Sequence, residues 1–600
     1  MQPSDFDTCD NLLSLFFSRV EELGDKPMLW SRKDDGWQSI SWKQAAEHVS
    51  LIAESLLRTG LKAGDRVMLV SENRPEWCLA DLGIMAAGCV TVPAYTTNTE
   101  RDHIHILENS GARAVIVSSA KLAQPLVPAV SQTDFCEFVF SIETIRHEQE
   151  GNFAYHTWAK LLEGDPATAR GAVMDRIAGI KRGDLACIIY TSGTGGAPRG
   201  VRQHHGAILC NVNGCARLVT EDFGWDEEVF LSFLPLSHAY EHTGGQFFPI
   251  GLGAQIYYAE GLDKLARNIE DVRPTIMVVV PRLFELLRTR IIKQIQTQGK
   301  FANRLLNLAL AIGERKAGGK QRLSDFPLDV LIGRTLRPKI RQKFGGRMKA
   351  LVSGGAPLNP EIGVFFDAMG LTLLQGYGQT EAAPVVSCNR PSAGIKMDTV
   401  GPPLEGVEVR FAEDGEILVR GELVTHGYWA NEAATARTII DGWLHTGDIG
   451  HADEQDRIVI TDRKKDMIVN DKGDNVSPQK VESMLTIQPE IAQAMVSGDR
   501  RPYIVGLIVP DEDWAREWAE IHGEPADLSV LRDLLPFRAA VRDAVDRVNK
   551  TLSVTEKVRQ FTFAEEAFSI ENEEMTPSLK IRRHKLKERY GERLDGLYKS

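Results

Sequence analysis

Short, β-branched apolar runs separated by helical patterns mark the first 460 or so positions. DRVMLV at 65–70, ARAVIV at 112–117, LACIIY at 185–190 and TIMVVV at 275–280 are apolar almost without interruption. A strand with one wet face alternates. Runs like these instead predict strands buried on both faces, in mixed or parallel sheets covered by helices. The fold class expected is therefore α/β.

A different pattern fills 283–344. Leu283, Leu286, Leu287, Ile291 and Ile295 recur at helical spacing, and Phe301, Leu305, Leu308 and Ile312 resume it after Gly299. This spacing predicts a helical insertion between strands. Beyond Arg463 the sequence turns charged and helical, with one strand-like run at 503–509. With 600 residues the chain exceeds the roughly 250–300 at which single cores stop growing. We expect a large N-terminal domain over 1–462, a linker at 463–466, and a smaller α+β C-terminal domain over 467–600.

Charge and composition narrow the function. A net charge of −12 argues against general nucleic-acid binding, which needs a basic face, but permits an anionic ligand held by local amides and a few cations. The N-terminal MQPSDFDTCDN has neither a basic nor an apolar signal region, and no apolar stretch approaches a membrane span. Eight cysteines without a CxxC pair suggest buried free thiols rather than disulfides or a zinc site. A reduced, cytoplasmic protein is expected, with peripheral membrane contact left open.

Five segments carry candidate chemistry. YTSGTGGAPRGV at 190–201 follows an apolar strand and crowds glycines with hydroxyls, as a loop that wraps phosphates does; a plain surface turn has the same composition, and the Walker A spacing is absent. QGYGQTE at 375–381 lies close behind SGGAP at 353–357. Its Tyr377 suits stacking on a base, and Thr380 with Glu381 suits a phosphate oxygen and Mg²⁺ or, more blandly, a helix start. DGWLHTGDIG at 441–450, with DRKKDMIVNDKGDNVSP at 462–478, offers Asp448 for ribose hydroxyls or for a turn. TPSLKIRR at 576–583 alone reads as a basic surface segment.

In this order, and over nearly the whole chain, the segments resemble the core motifs of the adenylate-forming superfamily. That superfamily includes acyl-CoA synthetases, adenylation domains of peptide synthetases and firefly luciferase. DRKKDMIVNDKGDNVSP, TPSLKIRR, SGGAPL and the helical insertion look most like long-chain fatty acyl-CoA synthetases. The resemblance implies that Thr191, Ser192, Gly193 and Thr194 close on the β,γ-phosphates. Tyr377 would stack on adenine between Gly376 and Gly378, with Gly354, Gly355, Ala356 and Pro357 walling the same pocket. Thr380 would touch the α-phosphate, Glu381 would hold Mg²⁺, and Asp448 and Arg463 would bind the ribose. Lys580 would bridge carboxylate and α-phosphate, and His238, in LPLSHAYEHTG, would lie between acyl pocket and nucleotide or sit as a satisfied core histidine.

The implied reaction joins a fatty acid to ATP, giving acyl-AMP and pyrophosphate, and then passes the acyl group to coenzyme A. Family members run the two halves in two orientations of a mobile C-terminal domain, with Lys465 at the hinge and Gly473 on the thiol's path. The family loop reads TSGTTGxPKG. Here Gly195 replaces a threonine and Arg199 the lysine, which keeps charge but not geometry. An enzyme that loads an acyl-carrier protein instead of coenzyme A would share every motif.

Overall fold

The computed structural model describes residues 3–145, 152–191, 198–576 and 580–599. Two large sheets form the N-terminal body. One has seven strands in the order Ala154–Thr157, Phe138–Ser141, Ala114–Val117, Arg66–Val70, Val90–Ala94, Leu185–Thr191 and Arg199–His204. All its neighbours are parallel except the final pair, an antiparallel hairpin. The second has eight strands. Its central run, from Leu373–Gly378 through Ala350–Ser353, Ile276–Val279, Val229–Ser232 and Gln255–Tyr258 to Pro27–Lys33, is parallel, and antiparallel partners close both edges. The four apolar runs fall on strands as expected. Ala114–Val117 and Ile276–Val279 are buried at every position, which is why their sequence does not alternate.

The insertion is helical, as its spacing predicts: Pro281–Thr297, Lys300–Ala317, Asp325–Thr335 and Arg337–Lys343. Gly299, at φ 100°, makes the break between the first two, a conformation that a side chain would disfavour. Ile291, Ile295, Leu305 and Ile312 enter a core shared with Phe365 and Phe366. Leu286 and Phe301 do not follow the apolar stripe expected of them; they face outward, Phe301 being 71% exposed. Phe301 lies in the first turn of its helix, ahead of the stretch from Leu305 that packs.

A third, five-stranded sheet contains Trp443–Ala452 and Ile458–Arg463, and its register sets Asp448 opposite Arg463. Arg463 thus ends a strand, and the chain turns at 464–466. Beyond it, strands Ile491–Ser497, Ile504–Pro510 and Val558–Phe563 form a separate sheet with its own apolar core, including Val481, Leu485, Phe537 and Val541. Arg583, at the head of the helix Arg583–Gly596, donates to Glu482 Oε1 at 2.6 Å, fixing the segment that precedes it.

Candidate active site

Open α/β sheets bind ligands beyond the carboxyl ends of their parallel strands. A cavity of about 1700 Å³ lies there, past Ala350–Ser353 and Leu373–Gly378. Gly354, Gly355, Ala356 and Pro357 continue the first strand along its wall, and Gly376, Tyr377, Gly378, Thr380 and Glu381 line it from the second. Two glycines are sterically required. A Cβ on Gly354 would lie 2.6 Å from the Tyr240 ring, and one on Gly378 would lie 1.9 Å from the Pro384 carbonyl oxygen.

Asp448 is the fixed point of the polar end. It is 4% exposed; Tyr377 Oη donates to its Oδ2 at 2.6 Å and Arg463 Nε to its Oδ1 at 3.2 Å. Burial, reinforced by the Asp448 charge, raises the Tyr377 phenol well above its usual range, so it remains a donor. Glu381 is held differently. Tyr428 Oη donates to its Oε1 at 2.8 Å, and the Arg199 guanidinium lies 4.4 Å over the Tyr428 ring. The turn Thr380–Ala382 is pinned by donors to its carbonyls: Gln203 Nε2 to Thr380 at 2.8 Å and Asn211 Nδ2 to Ala382 at 3.2 Å.

The C-terminal unit completes the cavity. The Lys580 amide donates to Thr576 Oγ1 at 3.0 Å, and its carbonyl accepts from the Thr576 amide at 2.8 Å. Burial pushes its ammonium down to about 8; Arg463 and Lys465 press the same way, while Asp448 and Glu381 oppose them. His238 faces the same space. Its Nδ1 accepts from the Tyr240 amide at 3.1 Å, and burial, then the Lys580 charge, push the ring down to about 3. It is therefore both a satisfied capping residue and a neutral wall of the site.

Thr191, Arg199, Asp448, Arg463 and Lys465 all reach the cavity, so the structure gathers most of the expected residues. Ser192, Gly193 and Thr194, with Gly195, lie outside the described residues. Gly473 is elsewhere, exposed at φ 85° in the turn where its amide donates to the Asn470 carbonyl, and does not line the cavity. The sequence carries no sign of Tyr428's part, since nothing near position 428 links it to Glu381, 47 residues away. Nor does it mark the apolar end. Leu218, Val219 and Phe223 of the helix His205–Phe223 form one wall, and Ile276, Val278 and Leu374 form another, whereas Glu285 alone lines the cavity from within 283–344.

A model of AMP-binding enzymes matches residues 16–429, and one of the AMP-binding enzyme C-terminal domain matches 465–600. The chain belongs to the AMP-binding enzyme family. Its similarity to curated members runs end to end. It is 31% identical to the long-chain-fatty-acid–CoA ligase FadD15 of Mycobacterium bovis over 98% of this chain and 97% of that one. To the peroxisomal long chain acyl-CoA synthetase 6 of Arabidopsis thaliana it is 28% identical, over 93% and 81%. The fold matches the adenylation domain of a carboxylic acid reductase from Segniliparus rugosus, solved with AMP and a co-purified carboxylic acid. The TM-score is 0.76 at 20% identity, covering 98% of this chain and 94% of that one. The anthranilate CoA ligase AuaEII gives a TM-score of 0.72 at 20% identity, covering 99% of each.

Proposed function

We propose that this AMP-binding enzyme is an acid–thiol ligase that activates a long-chain fatty acid with ATP and transfers it to coenzyme A. The observation that carries the reading is the placement of Lys580 beside Glu381, Asp448 and Arg463, in a cavity continuous with an apolar wall. A carboxylate and a triphosphate repel each other. A cation at their meeting point, in a dry site, stabilises the charge that builds up on the α-phosphoryl oxygens.

A carboxylate oxygen attacks the α-phosphorus and the bond to pyrophosphate breaks, giving acyl-AMP. The thiolate of coenzyme A then attacks the acyl carbon and AMP leaves with the bridging oxygen. Asp448, held by Tyr377 and Arg463, presents a carboxylate to the ribose hydroxyls, and Tyr377 stacks on the adenine. Thr191 and Arg199, with Ser192, Gly193 and Thr194, meet the β,γ-phosphates, and Thr380 meets the α-phosphate. Among the described residues no cluster of three or more His, Cys, Asp or Glu is placed to hold a metal. Glu381, a hard anionic oxygen donor on the cavity wall, would hold Mg²⁺ together with substrate phosphates. Bound there, Mg²⁺ neutralises phosphate charge. Thioester formation calls for a second orientation of the 467–600 domain about 463–466, turning at Lys465 and bringing Gly473 to the thiol's path.

Relatives named as long-chain-fatty-acid–CoA ligases support a fatty acid, and the apolar wall supports length selection. Each buried CH₂ contributes about 0.8 kcal/mol, so kcat/KM should rise roughly tenfold or more with each two-carbon step until the channel is full. Acid-dependent ATP–pyrophosphate exchange from C2 to C18, followed by AMP release on adding coenzyme A, tests both halves. Equal exchange with acetate and palmitate would reject the acid class. Acyl-AMP that free coenzyme A fails to consume would point to a carrier-protein acceptor.

A further inference from the structure

Tyr95, Tyr240 and Tyr377 are the tyrosines that line the main cavity among the described residues. The last two spend their hydroxyls on the protein. Tyr240 Oη donates to the Val352 carbonyl at 2.9 Å, and Tyr377 Oη to Asp448 Oδ2 at 2.6 Å. Tyr95 is half-buried, and its hydroxyl has no hydrogen-bond partner among the described residues. A phenol whose ring is covered ordinarily finds a partner for its O–H. Here the donor is left over for whatever fills the cavity.

The sheet register says which part of the cavity Tyr95 serves. It directly follows the strand Val90–Ala94, which runs parallel to Leu185–Thr191 with Thr91 opposite Cys187. Extending that register four residues up each strand sets Tyr95 level with Thr191, and Thr191 pairs in turn with Arg199 across the hairpin. Tyr95, Thr191 and Arg199 thus form a row across three strand ends, and they are the described residues of the seven-stranded sheet that reach the cavity. The chain after Tyr95 braces the same row. The Asn98 amide donates to the Tyr95 carbonyl at 3.2 Å, the helix Glu100–Ser110 begins beyond it, and His105 Nε2 of that helix donates to the Pro198 carbonyl at 2.8 Å, next to Arg199.

We infer that Tyr95 Oη donates a hydrogen bond to the pyrophosphoryl end of ATP, beside Thr191 and Arg199. The contact rests on the proposed adenylation, in which adenine, α-phosphate and acid are met by Tyr377, Thr380 and Lys580, none of them on the seven-stranded sheet. As the carboxylate oxygen bonds to the α-phosphorus, the bond from phosphorus to the bridging oxygen breaks and its electron pair leaves with pyrophosphate. A donor aimed at that group stabilises the negative charge it gains. Tyr95 keeps its proton throughout, because burial raises its phenol well above the usual range. It adds a neutral donor to a row whose one cation, Arg199, is held over the Tyr428 ring.

Tyr95→Phe tests the contact through a division between the half-reactions. In palmitate-dependent ATP–pyrophosphate exchange, losing a hydrogen bond to a charged group should raise the KM for pyrophosphate and lower kcat/KM for ATP, each about tenfold or more. The KM for palmitate should stay within about twofold, as should thioester synthesis from supplied palmitoyl-AMP and coenzyme A, a step in which pyrophosphate takes no part. That second rate also shows the variant to be folded. Tyr190→Phe is the control, since the Tyr190 hydroxyl is spent on Asn109 Oδ1 at 2.6 Å; its KM for pyrophosphate should match the parent's. An unchanged KM for pyrophosphate in Tyr95→Phe would overturn the contact, as would an equal rise in Tyr190→Phe or an equal loss of thioester synthesis. A parent without exchange would instead reject the adenylation reading, and the contact with it.

Discussion

Arg199 departs from the lysine of the family loop, and the structure supplies a reason for its tolerance. Its guanidinium stacks on Tyr428, whose hydroxyl in turn holds Glu381. A hydrogen bond to a charged group is worth about 1.5–3 kcal/mol. Tyr428→Phe keeps the stack but loses that bond, so kcat/KM for ATP should fall roughly 10- to 100-fold, with more Mg²⁺ needed for half-maximal rate. An unchanged Mg²⁺ titration would separate Tyr428 from the metal site. Lys580 makes a second prediction. Its ammonium, pushed down to about 8 chiefly by burial, is the form that the proposed adenylation step needs. The rate therefore depends on a group that loses its proton as pH rises, and kcat/KM for exchange should decline above about pH 8. In the ternary complex bound anions favour the cation, so kcat should hold to higher pH. A kcat/KM profile flat to pH 10 would remove Lys580 from that role. Tyr377, Glu381, Asp448 and Lys580 each sit in a distinctive local run of sequence, and the structure brings all four to one cavity. Tyr428 carries no such mark, because its meaning comes from a partner reached only through folding.

Strands and helices are legible in the sequence where burial dictates pattern. Uninterrupted apolar runs gave the central strands, and 3.6-residue spacing with Gly299 gave the insertion and its break. What an element is for was less legible. The insertion contributes core on one side and an exposed apolar row on the other, whereas one apolar wall of the cavity comes from His205–Phe223, whose sequence is a mixed, mostly buried helix like many others. The turn at 464–466 carries the prediction at this scale. Proline fixes φ and removes a donor, so Lys465→Pro should restrain a hinge that must change its backbone angles. Acyl-AMP should form and accumulate while thioester synthesis slows by tenfold or more. Lys580→Ala should do the opposite, losing adenylation but still converting supplied acyl-AMP and coenzyme A. Equal loss of both steps in both folded variants would argue against two working orientations.

At the scale of the whole molecule, the N-terminal sheets build walls and the C-terminal unit delivers one lysine into them. Asp448 and Arg463, on paired strands of the third sheet, stand next to the turn that leads into that unit, so the proposed nucleotide contacts and the proposed hinge share a strand end. Everything assigned to the polar end serves one event, transfer of the adenylyl group to a carboxylate oxygen. The most direct test follows that oxygen. A fatty acid labelled with ¹⁸O in its carboxylate should, in a single turnover with ATP and coenzyme A, deliver one labelled oxygen to the phosphate of AMP and none to pyrophosphate. Label appearing in inorganic phosphate, or AMP formed without label, would contradict an acyl-adenylate and with it the account of the site.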